Sequence, residues 1–333
     1  MENIKFKAMV VKEIEKNKFQ RNIQEKEISS LPKGDILVNV KYSSLNYKDA
    51  LSATGNKGVT RKFPHTPGID SAGIIIESND ENFKKGDEVI VTSYDLGMNT
   101  SGGYGQYIRV PSNWVVKLPE NLTLRESMIY GTAGFTAALS IFKMINCGVK
   151  PEDGEILVTG ATGGVGSLSI AILAKLGYNV IAASGKPQAR DMLLDLGAKD
   201  TIHRSNLDDE SGRAMLRSRW AGVIDTVGGN ILSTAIKSTK YSGAVTCCGN
   251  VASHEFMSSV YPFILRGVTL CGIDSGETPM DIRLKLWALL SSEWKIPNLE
   301  HNVEEVSLEG LNEKIDMILK GKAKGRIIVN LDI

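Results

Sequence analysis

The sequence predicts an α/β protein with two domains, a small β-rich barrel-like domain and a doubly wound parallel sheet. Three observations predict it. A chain of 333 residues is longer than one hydrophobic core usually serves. Its first third is made of short β-branched runs set apart by turn residues. From residue 155 onward, apolar strand-like runs alternate with helical ones, the rhythm of a parallel sheet crossed by helices.

Taken in order, residues 8–11, 35–42, 72–77, 88–92 and 106–110 read as strands. Pro32-Lys33-Gly34, Thr66-Pro67-Gly68, Lys85-Gly86-Asp87 and Ser101-Gly102-Gly103 punctuate them. Residues 124–144 carry apolar side chains at helical spacing, and Pro151-Glu152-Asp153-Gly154 then turns the chain. Residues 155–159 form a near-continuous apolar strand. Residues 163–176 read as an amphipathic helix ended by Gly177, residues 179–183 as a strand, and residues 187–196 as a helix closed by Gly197. Residues 223–225 and 243–248 continue the series. A helix over 308–319 and a strand over 327–331 return to the first domain. The expected boundaries are 1–125, completed by about 295–333, for the first domain and 126–294 for the second.

Composition excludes several classes. Lys+Arg at 39 against Asp+Glu at 38 leaves no electrostatic footprint for nucleic acid or an anionic membrane. Cys147, Cys247, Cys248 and Cys271 form no C-x-x-C pair, so neither a disulfide framework nor a zinc knuckle is expected, and buried free thiols fit better. The charged start, Glu2 to Lys5, does not read as a signal peptide, and no segment is expected to span a bilayer. The expected compartment is the cytoplasm.

Gly160-Ala161-Thr162-Gly163-Gly164-Val165-Gly166 follows a strand and opens a helix, the context a dinucleotide fingerprint requires. Its glycines, at 160, 163, 164 and 166, depart from G-x-G-x-x-G, but the physics survives. Gly160 allows a tight exit from the strand, and Gly163 and Gly164 let a pyrophosphate approach backbone N–H groups at the positive end of the helix. Gly166 lets helix and strand pack closely. Gly160, Thr162, Gly163, Gly164 and Val165 are the candidate contacts here. At the end of the next strand an NAD site usually carries an acid for the ribose 2′-OH. This chain has Ser184, Gly185 and Lys186 there, with Arg204 after the following strand. A hydroxyl with two cations suits a 2′-phosphate, so the expected cofactor is NADPH.

Longer motifs then carry a resemblance: Ser43 to Leu51, Pro67-Gly68-Ile69-Asp70, Gly131 to Ala137, Val158 to Gly166, Ile224 to Gly228, Pro262 to Arg266 and Gly272 to Ser275. Over nearly its whole length the chain resembles the zinc-independent medium-chain dehydrogenase/reductases, in the branch of YhdH/YhfP-type quinone oxidoreductases and acryloyl-CoA reductases. The resemblance implies a GroES-like barrel domain, a Rossmann domain and a homodimer. Zinc-binding relatives place Cys-His where this chain has Asn46-Tyr47, and Gly-His-Glu where it has Gly68-Ile69-Asp70. They also insert a four-cysteine lobe near position 100 that is absent here. His65, His203, His254 and His301 share no ligand spacing, so no metal is expected.

Without a Lewis acid, alcohol oxidation is disfavoured, while reduction of a double bond conjugated to a carbonyl, or of a quinone, remains open. Hydride adds to the β-carbon and charge moves to the carbonyl oxygen, which needs a hydrogen-bond donor and a proton. Tyr47 is the candidate donor and a cofactor contact, with Asn46 and Asp49 positioning it, although Asn and Asp also cap helices. The resemblance adds Thr226, Asn250, Ile264, Ser275 and Arg326 as cofactor contacts. Lys57, Arg61 and Lys62 could meet the phosphates of an acyl-CoA thioester, or form a solvated loop. Free enones and quinones compete as substrates, and a catalytically idle NADPH-binding sensor competes as a role. The run 268–273 could offer an edge strand to a second copy, or lie inside the sheet.

Overall fold

The computed structural model describes residues 4–333, which form two compact units. The first runs to Thr132 and also takes in Gly276–Ser292 and Asn298–Ile333. The second is Ala133–Ser275 with Glu293–Pro297.

The first unit begins with a long antiparallel hairpin, β1 (Lys5–Glu15) and β2 (Lys18–Glu27). Next come β3 (Ile36–Ser44), the short helix α1 (Tyr47–Ala53), β4 (Asp70–Ser78), β5 (Glu88–Thr92), β6 (Tyr107–Val110) and β7 (Val115–Lys117). The chain passes to the second unit along α2 (Leu124–Asn146). There follow β8 (Glu155–Val158), α3 (Gly164–Lys175), β9 (Asn179–Ser184), α4 (Arg190–Asp195), β10 (Asp200–His203) and β11 (Trp220–Asp225). After them stand α5 (Gly229–Lys237), β12 (Thr239–Cys247), α6 (Tyr261–Arg266) and β13 (Thr269–Gly272). The chain then returns through α7 (Met280–Leu290), β14 (Val303–Ser307), α8 (Leu311–Leu319) and β15 (Arg326–Asn330).

In the first unit a seven-stranded sheet has the order β14-β15-β3-β4-β5-β7, with β6 also on β3. Ile36, Val38 and Val40 of β3 are fully buried, and they share a core with Met9, Ile75, Val89 and Val91. The helix α8 closes one side of that core with Leu311 and Ile315, one turn apart on one face.

In the second unit the six strands lie parallel in the order β10-β9-β8-β11-β12-β13. Renumbered from β8 this is 3-2-1-4-5-6, the doubly wound order, with its switch point between β8 and β11. Strands covered by helices on both faces must be apolar on both faces. Accordingly Ile156, Leu157, Val158, Val223 and Ile224 show no exposure.

Four expectations change. Residues 126–132 and 276–292 belong with the first unit instead of the second. Arg283 of α7 explains part of this: it is buried, donates to the Thr92 carbonyl at 3.2 Å and hydroxyl at 3.0 Å, and stacks over Tyr94. The helix over 124–144 is broken at Gly131, where φ is 48° and ψ is −155°. It is also long and apolar enough, by length and composition, to cross a membrane, contrary to expectation, although most of it is buried. Finally, α3 is not amphipathic: every residue from Gly166 to Leu173 is buried, because the helix lies in the fold's interior.

Candidate functional site

In the second unit the candidate residues gather at the carboxyl ends of the strands. Gly160 follows β8 with φ +57°, and the N–H of Gly163 donates to its carbonyl at 2.9 Å, closing the turn. Helix α3 starts one residue later, so the N–H groups of Gly164 and Val165 have no carbonyl a turn behind them. A Cβ on Gly166 would stand 2.5 Å from the Gly160 carbonyl oxygen and 2.9 Å from the Ala161 Cα. The first helical turn therefore rests directly on the strand exit, and its leading N–H groups have no helical acceptor, the geometry that binding a pyrophosphate requires. Thr162 is buried within the turn.

The β9–β10 register pairs Ser184 with His203, which sets Arg204 beside Gly185. A Cβ on Gly185 would lie 2.8 Å from Arg204 Nε, so glycine makes room for the guanidinium to lie across the loop. The Ser184 hydroxyl accepts from the Lys186 N–H at 3.0 Å. The Ser184 hydroxyl and the Arg204 guanidinium thus stand at the strand end where an acid would hold a ribose 2′-OH, with Lys186 two residues along the same loop, and residues of this chemistry suit a phosphate.

Thr226 follows β11, and its hydroxyl donates to the Thr159 carbonyl at 2.9 Å, tying β8 and β11 together at the switch point. Asn250 follows β12 and is exposed. Ser275 follows β13 and accepts from the Thr136 hydroxyl at 2.8 Å. Ile264 differs from these, since it lies on α6, 67% exposed.

In the first unit Asn46 opens α1, and Asp49 accepts its backbone N–H at 2.9 Å. This is the reciprocal arm of a capping box, so the capping reading of Asp49 holds locally. Asp49 does more than cap. It is fully buried and also accepts from the Ile69 N–H at 2.7 Å. Burial, and next the charge of Asp70, push its carboxyl up to about 7.

Asp70 lies at the centre of the cluster, fully buried at the start of β4. Its carboxylate accepts from the Ser44 hydroxyl at 2.5 Å, the Asn46 amide at 2.7 Å, the Thr132 hydroxyl at 2.6 Å and the Thr132 N–H at 2.9 Å. Arg326, expected to touch the cofactor, has a different place: it is buried in this same cluster at the start of β15. Its guanidinium donates to the carbonyls of Ile129 at 2.7 Å, Leu45 at 3.3 Å and Met128 at 3.4 Å, and to Asn46 Oδ1 at 3.3 Å. The break at Gly131 frees the carbonyls of Met128 and Ile129, and Arg326 satisfies them while Asp70 takes the N–H beyond the break. A Cβ at Gly131 would stand 2.5 Å from Asp70 Oδ2, so only glycine fits there.

Asn46 is therefore held between a carboxylate and a guanidinium. Tyr47, the first helical residue after it, is 38% exposed, and no described residue hydrogen-bonds its hydroxyl. Sequence reasoning brought together Asn46, Tyr47 and Asp49 but missed Ser44, Asp70 and Thr132. The Gly68-Ile69-Asp70 motif was the available signal.

In zinc-binding relatives these positions carry metal ligands. Among the described residues no three His, Cys, Asp or Glu side chains stand close enough to share a metal ion. His65 is buried with its Nε2 2.9 Å from the Gly97 carbonyl, and Asp70 is saturated with donors. These residues do not fit a catalytic zinc. Lys57 is also spoken for: its ammonium lies 3.1 Å from Glu13 and over the ring of Phe63, while Arg61 and Lys62 are exposed.

Comparison with known proteins finds two family models. The alcohol dehydrogenase GroES-like domain matches residues 32–120, and the zinc-binding dehydrogenase domain matches residues 164–292. YhfP of Bacillus subtilis, provisionally named a quinone oxidoreductase, is 45% identical over 320 residues, covering 95% of this chain and 97% of that one. Its crystal structure with NAD bound matches with a TM-score of 0.96. The acrylyl-CoA reductase AcuI of Ruegeria pomeroyi is 40% identical over 328 residues, covering 98% and 99% of the two chains. The yhdH oxidoreductase of Salmonella enterica, solved with NADP, matches with a TM-score of 0.94 at 40% identity, over 98% of this chain and 99% of that one.

Proposed function

We propose a function for a chain that belongs to the medium-chain dehydrogenase/reductase superfamily, in its YhdH/YhfP branch: NADPH-dependent, metal-independent reduction of a double bond conjugated to a thioester carbonyl. Acryloyl-CoA is the type substrate, and the enzyme works in the cytoplasm. The observation that carries the reading is the Asp70–Asn46–Arg326 cluster. It fills with saturated hydrogen bonds the positions at which zinc relatives hold metal ligands, and it presents Tyr47 beside them.

The cofactor, when bound, supplies the hydride. Gly164 and Val165 hold the pyrophosphate by backbone N–H groups, and Ser184, Lys186 and Arg204 hold the 2′-phosphate. Tyr47 donates its hydroxyl hydrogen bond to the thioester oxygen as charge gathers there. Asn46 and Asp49 fix the helix start from which Tyr47 projects. The deciding experiment mixes the protein with NADPH and, separately, acryloyl-CoA, a simple enone and a small quinone, and follows NADPH absorbance. Fast consumption with acryloyl-CoA is expected. NADPH binding without turnover of any of the three leaves the idle sensor instead, and a quinone as the sole substrate replaces the thioester reading.

Two substitutions test the cofactor half. Ser184→Asp sets a carboxylate against the 2′-phosphate, so NADPH affinity should fall about 10- to 100-fold while NADH affinity holds. Equal losses for both nucleotides would refute the 2′-phosphate assignment. Gly166→Ala pushes a methyl into the Gly160 carbonyl, so the turn must shift, and NADPH affinity should fall by about an order of magnitude. Fluorescence titration within twofold of wild type would show the close packing to be irrelevant to binding.

We also propose a homodimer joined along β13, one of the sheet's two edge strands, with exposed Val260, Tyr261, Ile264 and Leu265 on and beside α6 as apolar cover. Light scattering should give twice the chain mass; a monomer at micromolar concentration ends this part.

A further inference from the structure

Two of the four cysteines meet side by side on the second unit. Cys147 stands just past the end of α2 and is exposed, and Cys271 lies on β13, an edge strand of the parallel sheet, half-buried. Their sulfur atoms are 3.6 Å apart. A disulfide needs about 2 Å, so one side chain must move by about 1.5 Å. Cys147 is the member with that freedom: it is exposed, lies past the last residue of α2, and is followed by Gly148 at φ +91°. The other two cysteines lack such an arrangement. They are adjacent on one chain segment, and burial pushes Cys248 up to about 12.

We propose that Cys147 and Cys271 form an oxidative modification site, which a hydroperoxide closes to an intrachain disulfide and a dithiol reopens. Cys147, the exposed member, reacts first. Its thiolate sulfur attacks a peroxide oxygen, the O–O bond breaks, and the departing oxygen leaves as alcohol or water, giving a sulfenic acid. The Cys271 sulfur then attacks the Cys147 sulfur; the S–O bond breaks and the oxygen leaves as water with the Cys271 proton. Two thiols lose two electrons and two protons, and the peroxide gains them. Burial, and next the neighbouring Cys147, push the Cys271 thiol up to about 11, so it is not the member that reacts first with peroxide. Lys143 assists, since its ammonium reaches the Gly272 carbonyl at 2.8 Å, beside Cys271, and favours a thiolate there.

The closed bond would staple the end of α2 to β13 across a loop of 124 residues. The same helix also holds Ser275, just past β13, through Thr136. Such a crosslink restrains the unfolded chain, so the oxidised protein should melt several degrees higher than the reduced one.

The test treats the full-length protein with a modest excess of hydrogen peroxide, then alkylates, digests without reductant and maps the peptides. The expected result is one crosslinked peptide pair joining Cys147 to Cys271 within one chain, a drop from four titratable thiols to two under denaturing conditions, and full reversal by dithiothreitol. Cys147→Ser and Cys271→Ser should each abolish the crosslink and the gain in melting temperature. The proposal is overturned if both thiols survive, if Cys147 runs on to sulfinic acid unpaired, or if the bond joins two chains or involves Cys247 or Cys248.

Discussion

Replacing Arg326 by methionine is expected to destabilise the first unit by about 3–5 kcal/mol, the range for stripping a buried charge of its partner. The side chain is 4% exposed and faces two buried carboxylates, Asp70 and Asp49. Methionine keeps an apolar, unbranched stem but ends short of the guanidinium position and leaves Asp70 without its countercharge. It also orphans the carbonyls of Ile129 and Met128 at the Gly131 break. Arg326→Lys keeps the charge and loses the planar fork that reaches several acceptors at once, so a smaller loss is expected. Amide exchange should localise the effect to β3, β15 and the amino-terminal part of α2, while β8 and β11 keep their protection. An Arg326→Met protein that melts within a degree of wild type would show the cluster to be energetically idle.

That cluster also marks the limit of what the sequence made legible. The phosphate turn could be read directly, because strand, glycines and helix lie within about a dozen residues and the physics is local. The apolar strands of the second unit were equally plain, since burial on both faces leaves Ile156-Leu157-Val158 with no polar interruption. The strand β2 was invisible: Lys18, Arg21, Glu25, Lys26 and Glu27 give it a polar surface, and only its long pairing with β1 makes it a strand. The break in α2 was hidden because apolar spacing continues straight through Gly131, and the cause lies on β4 and β15. Likewise nothing near Arg283 announces its bond to Thr92, 191 residues away. The motif around Asp70 was visible as a departure from the zinc pattern, but its role as an acceptor for Ser44, Asn46 and Thr132 exists only in three dimensions.

The second large effect concerns Tyr47. Tyr47→Phe should lower kcat for acryloyl-CoA by about 10²–10³, the usual consequence of removing one hydrogen-bond donor to a developing oxyanion. The substitution is well suited to isolating that step. No described residue bonds the hydroxyl, and phenylalanine has nearly the helix propensity of tyrosine, so α1 should form unchanged. Asn46, Asp49 and Asp70 keep their own hydrogen bonds, which leaves the backbone at residue 47 where it was. The substitution removes one hydroxyl and leaves Gly164, Val165, Ser184 and Arg204 untouched, so the Kd for NADPH should stay within twofold even with the Tyr47 ring against the cofactor. A fall in kcat with that Kd intact assigns the hydroxyl to the transition state, since a ground-state contact would raise KM instead. If Tyr47→Phe turns over acryloyl-CoA at the wild-type rate, the oxyanion takes its proton and its hydrogen bond from elsewhere. Water or the ribose hydroxyl of the cofactor would be the remaining donors, and the Asp70–Arg326 cluster would then serve stability alone.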